Sequence, residues 1–367
     1  MKSINKFKLI PIISVLSISI ANATFAEDKD ACCSGHIRSF APISIMGAHL
    51  HSKGDSMLGY TYMYGSMHMG NNPSSPIGGE TNEGHSGHEE HTEHHMSGNI
   101  KHEGHDHGEE MPSNNKAHQH TMQHEMHMLE GMYGITDDFT AMLMLPIIQQ
   151  RMTHKMPNEV STTENNGIGD ISLTGLHSIY RGDNSLLHGG FGMSFPTADI
   201  DDTDLYHGKV SNHPYMMQIG SGTYDLLPSL TYQETYGKFG WGTQGSMVIR
   251  LGENDNDYTL GDRYNLSLWA GYDLAQEFKV TSRVTGRFWE DVSGRDAGIL
   301  LTSDMANPML QGGNMIEAGV GFMTSLKCPF GLDHGIGIEA AFPISQDVDA
   351  GWMKQDWMLT AGWRVLF

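Results

Sequence analysis

The feature that most constrains this chain is an apolar period of two. Along Phe239–Leu251, Phe239, Trp241, Met247, Ile249 and Leu251 share one face, and Gln244, Ser246 and Arg250 share the other. Tyr264, Leu266, Leu268, Ala270 and Tyr272 alternate in the same way with Asn265, Ser267, Trp269 and Asp273. Phe278, Val280, Val284 and Phe288 alternate with Lys279, Thr281, Arg283, Thr285 and Arg287. The C-terminal stretch sets Trp357, Leu359, Ala361, Trp363, Val365 and Phe367 against Met358, Thr360, Arg364 and Leu366. Successive side chains of a strand point to opposite faces, so this pattern predicts strands with one apolar and one polar face.

Twelve such segments are expected: 57–66, 123–135, 139–150, 168–181, 188–198, 222–236, 239–251, 262–275, 278–293, 314–326, 334–345 and 356–367. Most exceed a globular strand and suit a tilted membrane-crossing strand of about 9–11 residues with extensions. Connections alternate between long and short, beginning with a long first loop, a turn at Thr136–Asp138 and a loop over Arg151–Gly167; the last outer loop is expected over Gln346–Gln355. An even strand number with short turns at one end and longer loops at the other is the pattern of a bacterial outer-membrane barrel, where closure removes every unpaired backbone edge. A secreted sandwich alternates too, but it must cover its outer face. Aromatic residues cluster at the strand ends, as in interfacial girdles, and favour the membrane. The fold class expected is therefore all-β, a single up-and-down antiparallel barrel of about 12 strands. The last strand, ending at Phe367, is expected to engage the barrel-assembly machinery.

Lys2, Lys6 and Lys8 precede apolar Leu9–Ile20 and the small residues Ala21, Ala23 and Ala26. This predicts a signal peptide over 1–26, hence export to the outer membrane. A periplasmic segment over 27–56 is then expected to lead into a barrel over 57–367, with an external loop over 67–122. The net charge of −21 excludes nucleic-acid binding as a main activity. No nucleophile elbow is present, and His177 and Ser178 point to opposite faces of one strand, so no enzyme is expected.

The stretches GMYGITDDFTAMLMLPI and ENNGIGDISL…GGFGMSFPTADID carry Gly131, Tyr133, Gly134, Ile135, Thr136, Pro146, Gly167, Gly169, Asp170, Pro196 and Thr197. From Leu129 to Phe367 the chain resembles the outer-membrane transporter-like family labelled for the MetA pathway of phenol degradation. The resemblance implies a channel-type barrel and transfers no catalytic residue. The label points to uptake of an aromatic or hydrophobic compound. The chain departs from that cargo in its first loop, which is rich in metal-ligand residue types.

Twelve of the 22 histidines fall between Glu80 and His127: His85, His88, His91, His94, His95, His102, His105, His107, His118, His120, His124 and His127. Imidazoles spaced two or three residues apart on a flexible chain can converge on Cu, Zn or Ni. Such a set offers affinity but little choice of metal, so by the Irving–Williams order Cu(II) is expected to bind tightest. Methionine is biased to the same region, with Met57, Met63, Met67, Met69, Met122, Met126, Met128, Met132, Met142, Met144, Met152 and Met156 in the first three strands or their outer loops. Met126 and Met128 are the thioether candidates beside the histidines, and thioether favours Cu(I). A single Met is as readily an adaptable core filler.

These residues predict an outer-membrane channel or transporter for small solutes, associated with copper-type metal handling and needing no resident cofactor. A non-transporting metal-binding surface protein is the alternative. Polar residues expected to line the lumen are Arg250, Lys279, Arg283, Arg287, Glu317, Glu339 and Arg364; an interior ladder of salt bridges is the competing reading. Cys328 falls in a short turn on the same side as Cys32 and Cys33, so a bridge to one of them is expected.

Overall fold

The computed structural model describes residues 39–69, 119–156, 159–206, 208–275, 277–301, 303–327 and 332–367. The expected signal peptide, Cys32, Cys33, Cys328 and the histidines from His85 to His118 lie outside the described residues.

Twelve strands form one closed antiparallel ring. They are β1 (Ser56–His68), β2 (Gln119–Thr136), β3 (Phe139–Met156), β4 in two pieces (Glu159–Ile168 and Ile171–Arg181), β5 (Ser185–Phe195), β6 (Tyr224–Tyr236), β7 (Phe239–Leu251), β8 (Arg263–Asp273), β9 (Phe278–Trp289), β10 (Gly313–Lys327), β11 (Asp333–Val348) and β12 (Lys354–Leu366). Each pairs with its neighbours in sequence, and β1 also pairs with β12, closing the barrel. Reciprocal backbone bonds between Ser56 and Phe367, each 2.9 Å, finish the seam.

All twelve expected strands are present. Two expected loops are not. The stretch Arg151–Gly167 is the continuation of β3 and the first half of β4, paired in register from Ile147↔Ile168 to Met156↔Glu159. The last outer loop shrinks because β11 runs to Val348 and β12 begins at Lys354. The cause is the same in both places. Beyond the apolar belt both faces of a hairpin are polar, so pairing continues while the hydrophobic alternation that reveals a strand disappears. A small hairpin also forms within one outer loop, Thr203–Tyr206 with Lys209–Asn212, and two other outer loops are joined by a short antiparallel pairing of Tyr258–Thr259 with Ser293–Gly294.

The outer face carries the apolar half of each alternation. Leu58, Leu143, Leu173, Phe191, Leu268, Phe322, Ile338 and Phe342 are among the large apolar side chains exposed there. A continuous apolar surface of this kind is stable only when something covers it, and in a barrel that cover is lipid.

The described part of the expected periplasmic lead-in packs against the barrel wall from within. Residues 39–55 run inside the short-turn end of the ring. Phe40 and Ile43 are each 1% exposed. Glycines on the wall make room for them: a Cβ on Gly271 would sit 2.9 Å from Phe40 Cδ1, and one on Gly362 only 2.5 Å from Ile43 Cγ1. Ser44 Oγ donates to Glu339 at 2.9 Å, Gln244 Nε2 to the Met46 carbonyl at 3.0 Å, and the Thr140 hydroxyl accepts from His51 N at 2.9 Å. Irregular and apolar, this stretch has no strand period to announce where it belongs.

Candidate functional site: the barrel interior

Inward positions on β2 are the even-numbered ones: Met122, Glu130 and Met132 are buried, whereas Leu129 and Tyr133 are exposed. His120, Met122, His124, Met126 and Met128 therefore share the interior face, and His127 does not. His127 lies outside, 2.7 Å from the Tyr60 hydroxyl and against the Tyr62 ring. The structure thus separates His127 from the other expected metal ligands of this strand, because a period of two sends neighbours to opposite sides.

Thioethers occupy the interior faces of adjacent strands in register. Met67 faces Met122, and Met122 faces Met152. Lower in the barrel Met63 faces Met126, and near the short-turn end Met57 faces Met132, which faces Met142. Met358 continues the surface on β12 opposite Gly65. A cavity of about 510 Å³ runs beside this wall, lined among others by Met63, Met67, Met142, Met144, Met315, Met353 and Met358. Ser44 to Gly47 of the N-terminal segment bound it at one end, and Trp352 and Met353 belong to its lining near the outer loops.

The opposite side of the interior is charged and paired. Arg283, buried, donates from Nε to Glu339 at 2.6 Å and from Nη1 to Glu317 at 2.6 Å. Arg287 Nη2 reaches the same Glu317 oxygen at 2.7 Å, and Gln355 donates to the other at 3.2 Å. Arg250 is joined to buried Asp225. Arg364 lies 3.9 Å from Glu130 and donates to the Ile43 carbonyl at 3.3 Å. Lys279 donates to the Ser39 carbonyl at 2.5 Å and stands 4.2 Å over the Phe40 ring. All seven candidate lumen residues face inward, and each meets a partner among the seven, on another barrel strand or on the N-terminal segment. The ladder occupies one side of the interior, and Arg283 and Arg287 border the cavity from there.

At the outer end, the His120 and His154 rings approach with Nδ1 atoms 2.8 Å apart, and Gln150 Nε2 lies 3.3 Å from His124 Nδ1. Among the described residues, no group of three or more His, Cys, Asp or Glu side chains is placed to hold a metal ion. Residues that sequence reasoning missed are Met216, Met217, Met305 and Met353. They come from loops far apart in the chain and join Met122 and Met152 in one buried cluster. The only signal available was the total of 26 methionines and the Met216–Met217 pair.

Asp170 explains the GIGD and PTAD stretches. Its Oδ1 accepts from Thr197 N and Ala198 N, each at 3.1 Å, and Oδ2 accepts from Ser221 N at 2.7 Å and Ser221 Oγ at 2.9 Å. Thr197 in turn donates to the Gly169 carbonyl at 3.0 Å. Gly169 itself lies against β3, where a Cβ would meet Pro146 Cγ at 2.9 Å. The break in β4 is thus stapled to the exit of β5 and the approach to β6. The family described as "Putative MetA-pathway of phenol degradation" matches residues 119–307, just over half the chain and the part that contains this staple. The chain belongs to that family.

As a member of the phenol-degradation MetA family, it shares its fold with an outer membrane channel from Pseudomonas putida F1, at 11% identity and a TM-score of 0.57, covering 89% of this chain and 100% of that one. The CymD monoaromatic hydrocarbon channel matches at 8% identity and a TM-score of 0.38, covering 86% and 88%. The toluene transporter TodX from Pseudomonas putida matches at 6% and 0.36, covering 86% and 90%. The last two are too distant to add to the fold assignment.

Proposed function

We propose that the protein is an outer-membrane channel for small solutes whose cargo is a transition-metal ion of copper type or its complex. The barrel, its lipid-facing belt and the shared fold support the channel. The observation that carries the metal reading is the thioether wall, which continues across β12, β1, β2 and β3 from the outer end to the N-terminal segment. Sulfur donors suit soft metals, and ordinary packing would use Leu and Val on such a wall just as well. The histidine tract between β1 and β2 is the collecting arm, offering imidazoles to Cu, Zn or Ni before the ion reaches the mouth. In this reading the N-terminal segment faces the periplasm and closes that end of the lumen. Strand β12, with Phe367 directly after it, is the part offered to the assembly machinery.

The test is single-channel conductance of the refolded full chain in a planar bilayer, with and without micromolar Cu(II), beside a variant lacking residues 70–118. The deletion stops there because β2 begins at Gln119. The expected result is steps that Cu(II) blocks or gates in the full chain and leaves untouched in the deletion. A bilayer that stays silent with folded protein even when Phe40→Ala/Ile43→Ala releases the N-terminal segment overturns the channel; steps indifferent to Cu(II) in both forms overturn the metal reading.

A further inference from the structure

The buried cluster at the outer mouth has a composition unlike any other in the barrel. Its six buried members are all methionine: Met122, Met152, Met216, Met217, Met305 and Met353. The cluster at the short-turn end mixes Leu50, Leu176 and Leu186 with methionine, and the one beneath the outer loops is built on Tyr215, Tyr258, Val292 and Ile299. The first of these is half methionine and the second has none among its buried members, so the outer-mouth cluster alone is built wholly of thioethers. The six thioethers are brought together from five separate stretches: β2, β3, the turn Tyr215–Met217, the turn Asp304–Ala306 and the approach to β12.

Two of those stretches are held by buried amides whose work is to fix the backbone beside a methionine. Asn165, 3% exposed, donates from Nδ2 to the Met217 carbonyl at 2.9 Å. Gln311, 1% exposed, donates from Nε2 to the Met305 carbonyl at 3.1 Å and the Asn307 carbonyl at 2.9 Å. Buried polar side chains are retained where they fix a geometry, and here they fix where two thioethers stand.

We propose that these six methionines form a cage that binds one soft monovalent cation, Cu(I) or Ag(I), at the outer mouth. Thioether is a soft donor that selects Cu(I) over the harder divalent ions. The charge argument agrees. Desolvation cost rises with the square of the charge, so a neutral cage with no carboxylate among its donors tolerates a monovalent ion far better than a divalent one. The His120–His154 pair sits one inward step outside Met122 and Met152 on the same faces, and Met63 and Met126 lie below. Through Met122 and Met152 the cage is continuous with the outer end of the thioether wall. The proposal deepens the metal reading given above and does not depend on conduction.

The test is anaerobic titration of Cu(I) into the refolded full chain against a competing Cu(I) chelator, with X-ray absorption at the copper edge, beside the triple variant Met122→Leu/Met152→Leu/Met217→Leu. Leu for Met conserves volume, so the variant is expected to fold. The single variants Met152→Leu and Met217→Leu give the same readout if the triple does not. The full chain is expected to hold, beyond what the variants hold, one further Cu(I) with sulfur scatterers. The variants are expected to lose that equivalent or bind it at least tenfold more weakly, while Zn(II) uptake stays unchanged. Cu(I) binding equal in parent and variants, or copper seen only with nitrogen and oxygen neighbours, overturns the cage. A protein that holds this Cu(I) but stays silent in a bilayer fails only as a channel. One that conducts and lacks the equivalent fails only here.

Discussion

Releasing the N-terminal segment should open the barrel, and the double variant Phe40→Ala/Ile43→Ala is the cleanest way to release it. Both side chains are essentially fully buried inside the ring and make no side-chain hydrogen bond that would be left broken. Truncating a buried Phe costs about 3–5 kcal/mol and a buried Ile about 2–5 kcal/mol. The two sit on one segment, so the sum is an upper bound. Taking only the lower limit for Phe40, about 3 kcal/mol, the docked-to-released ratio falls about a hundredfold, because each 1.4 kcal/mol is about tenfold. The bonds from His188 to the Gly47 carbonyl at 2.9 Å and from Ser44 to Glu339 remain and oppose release, each contributing about 0.5–1.5 kcal/mol or somewhat more where charge assists. The assay is bilayer recording of the refolded full chain. The variant should show larger and longer open steps than the parent. Gly362→Val, which drives a side chain into the space held by Ile43, should do the same from the wall side. Parent-like closed occupancy in both variants, with folding shown by heat-modifiable migration, would refute the claim that this segment blocks the lumen.

Arg283→Met should lower unfolding stability in micelles by about 3–5 kcal/mol, because it removes the guanidinium from buried Glu339, which keeps the Ser44 hydroxyl, while Glu317 keeps Arg287 and Gln355; a urea midpoint unchanged from the parent would contradict the paired ladder. Asp170→Ala removes an acceptor of four hydrogen bonds, each charge-assisted bond worth about 1.5–3 kcal/mol, and should raise amide exchange across 196–223, whereas exchange confined to Asp170 itself would show the staple is dispensable. His213 lies in an outer loop, buried, and burial lowers its pKa despite the opposing pull of Asp204 and Asp202. Folding thus favours the neutral ring. The stability it supports is full above the unfolded histidine value of about 6.5 and declines as pH falls below it. Exchange protection of 208–222 should therefore be weaker at about pH 5 than at about pH 7.5, and the difference should vanish in His213→Gln.

Much of this protein follows from alternation alone. A strand with one face in lipid and one in the lumen must write a period of two, so the barrel, its twelve strands and the inward direction of Arg283 or Met142 are all legible without coordinates. The signal fails where that asymmetry ends. The hairpin beyond Ile147 has a polar outer face and a mostly polar, buried inner one, so it reads as a loop, and residues 39–55, buried without any regular period, read as a lead-in to the barrel. Pairing is the other limit. Local spacing shows that Arg287 and Glu317 face inward, but only the closed ring sets them 2.7 Å apart and cancels their charge. The methionine cluster lies at the far end of that limit. Histidines crowded in one loop advertise metal binding from composition, and thioethers on β2 and β3 do so weakly. Met216, Met305 and Met353 are separated by long stretches of chain and carry no shared pattern. Their meeting is decided by which outer loops fold over the mouth, a long-range packing outcome that no short window of sequence contains.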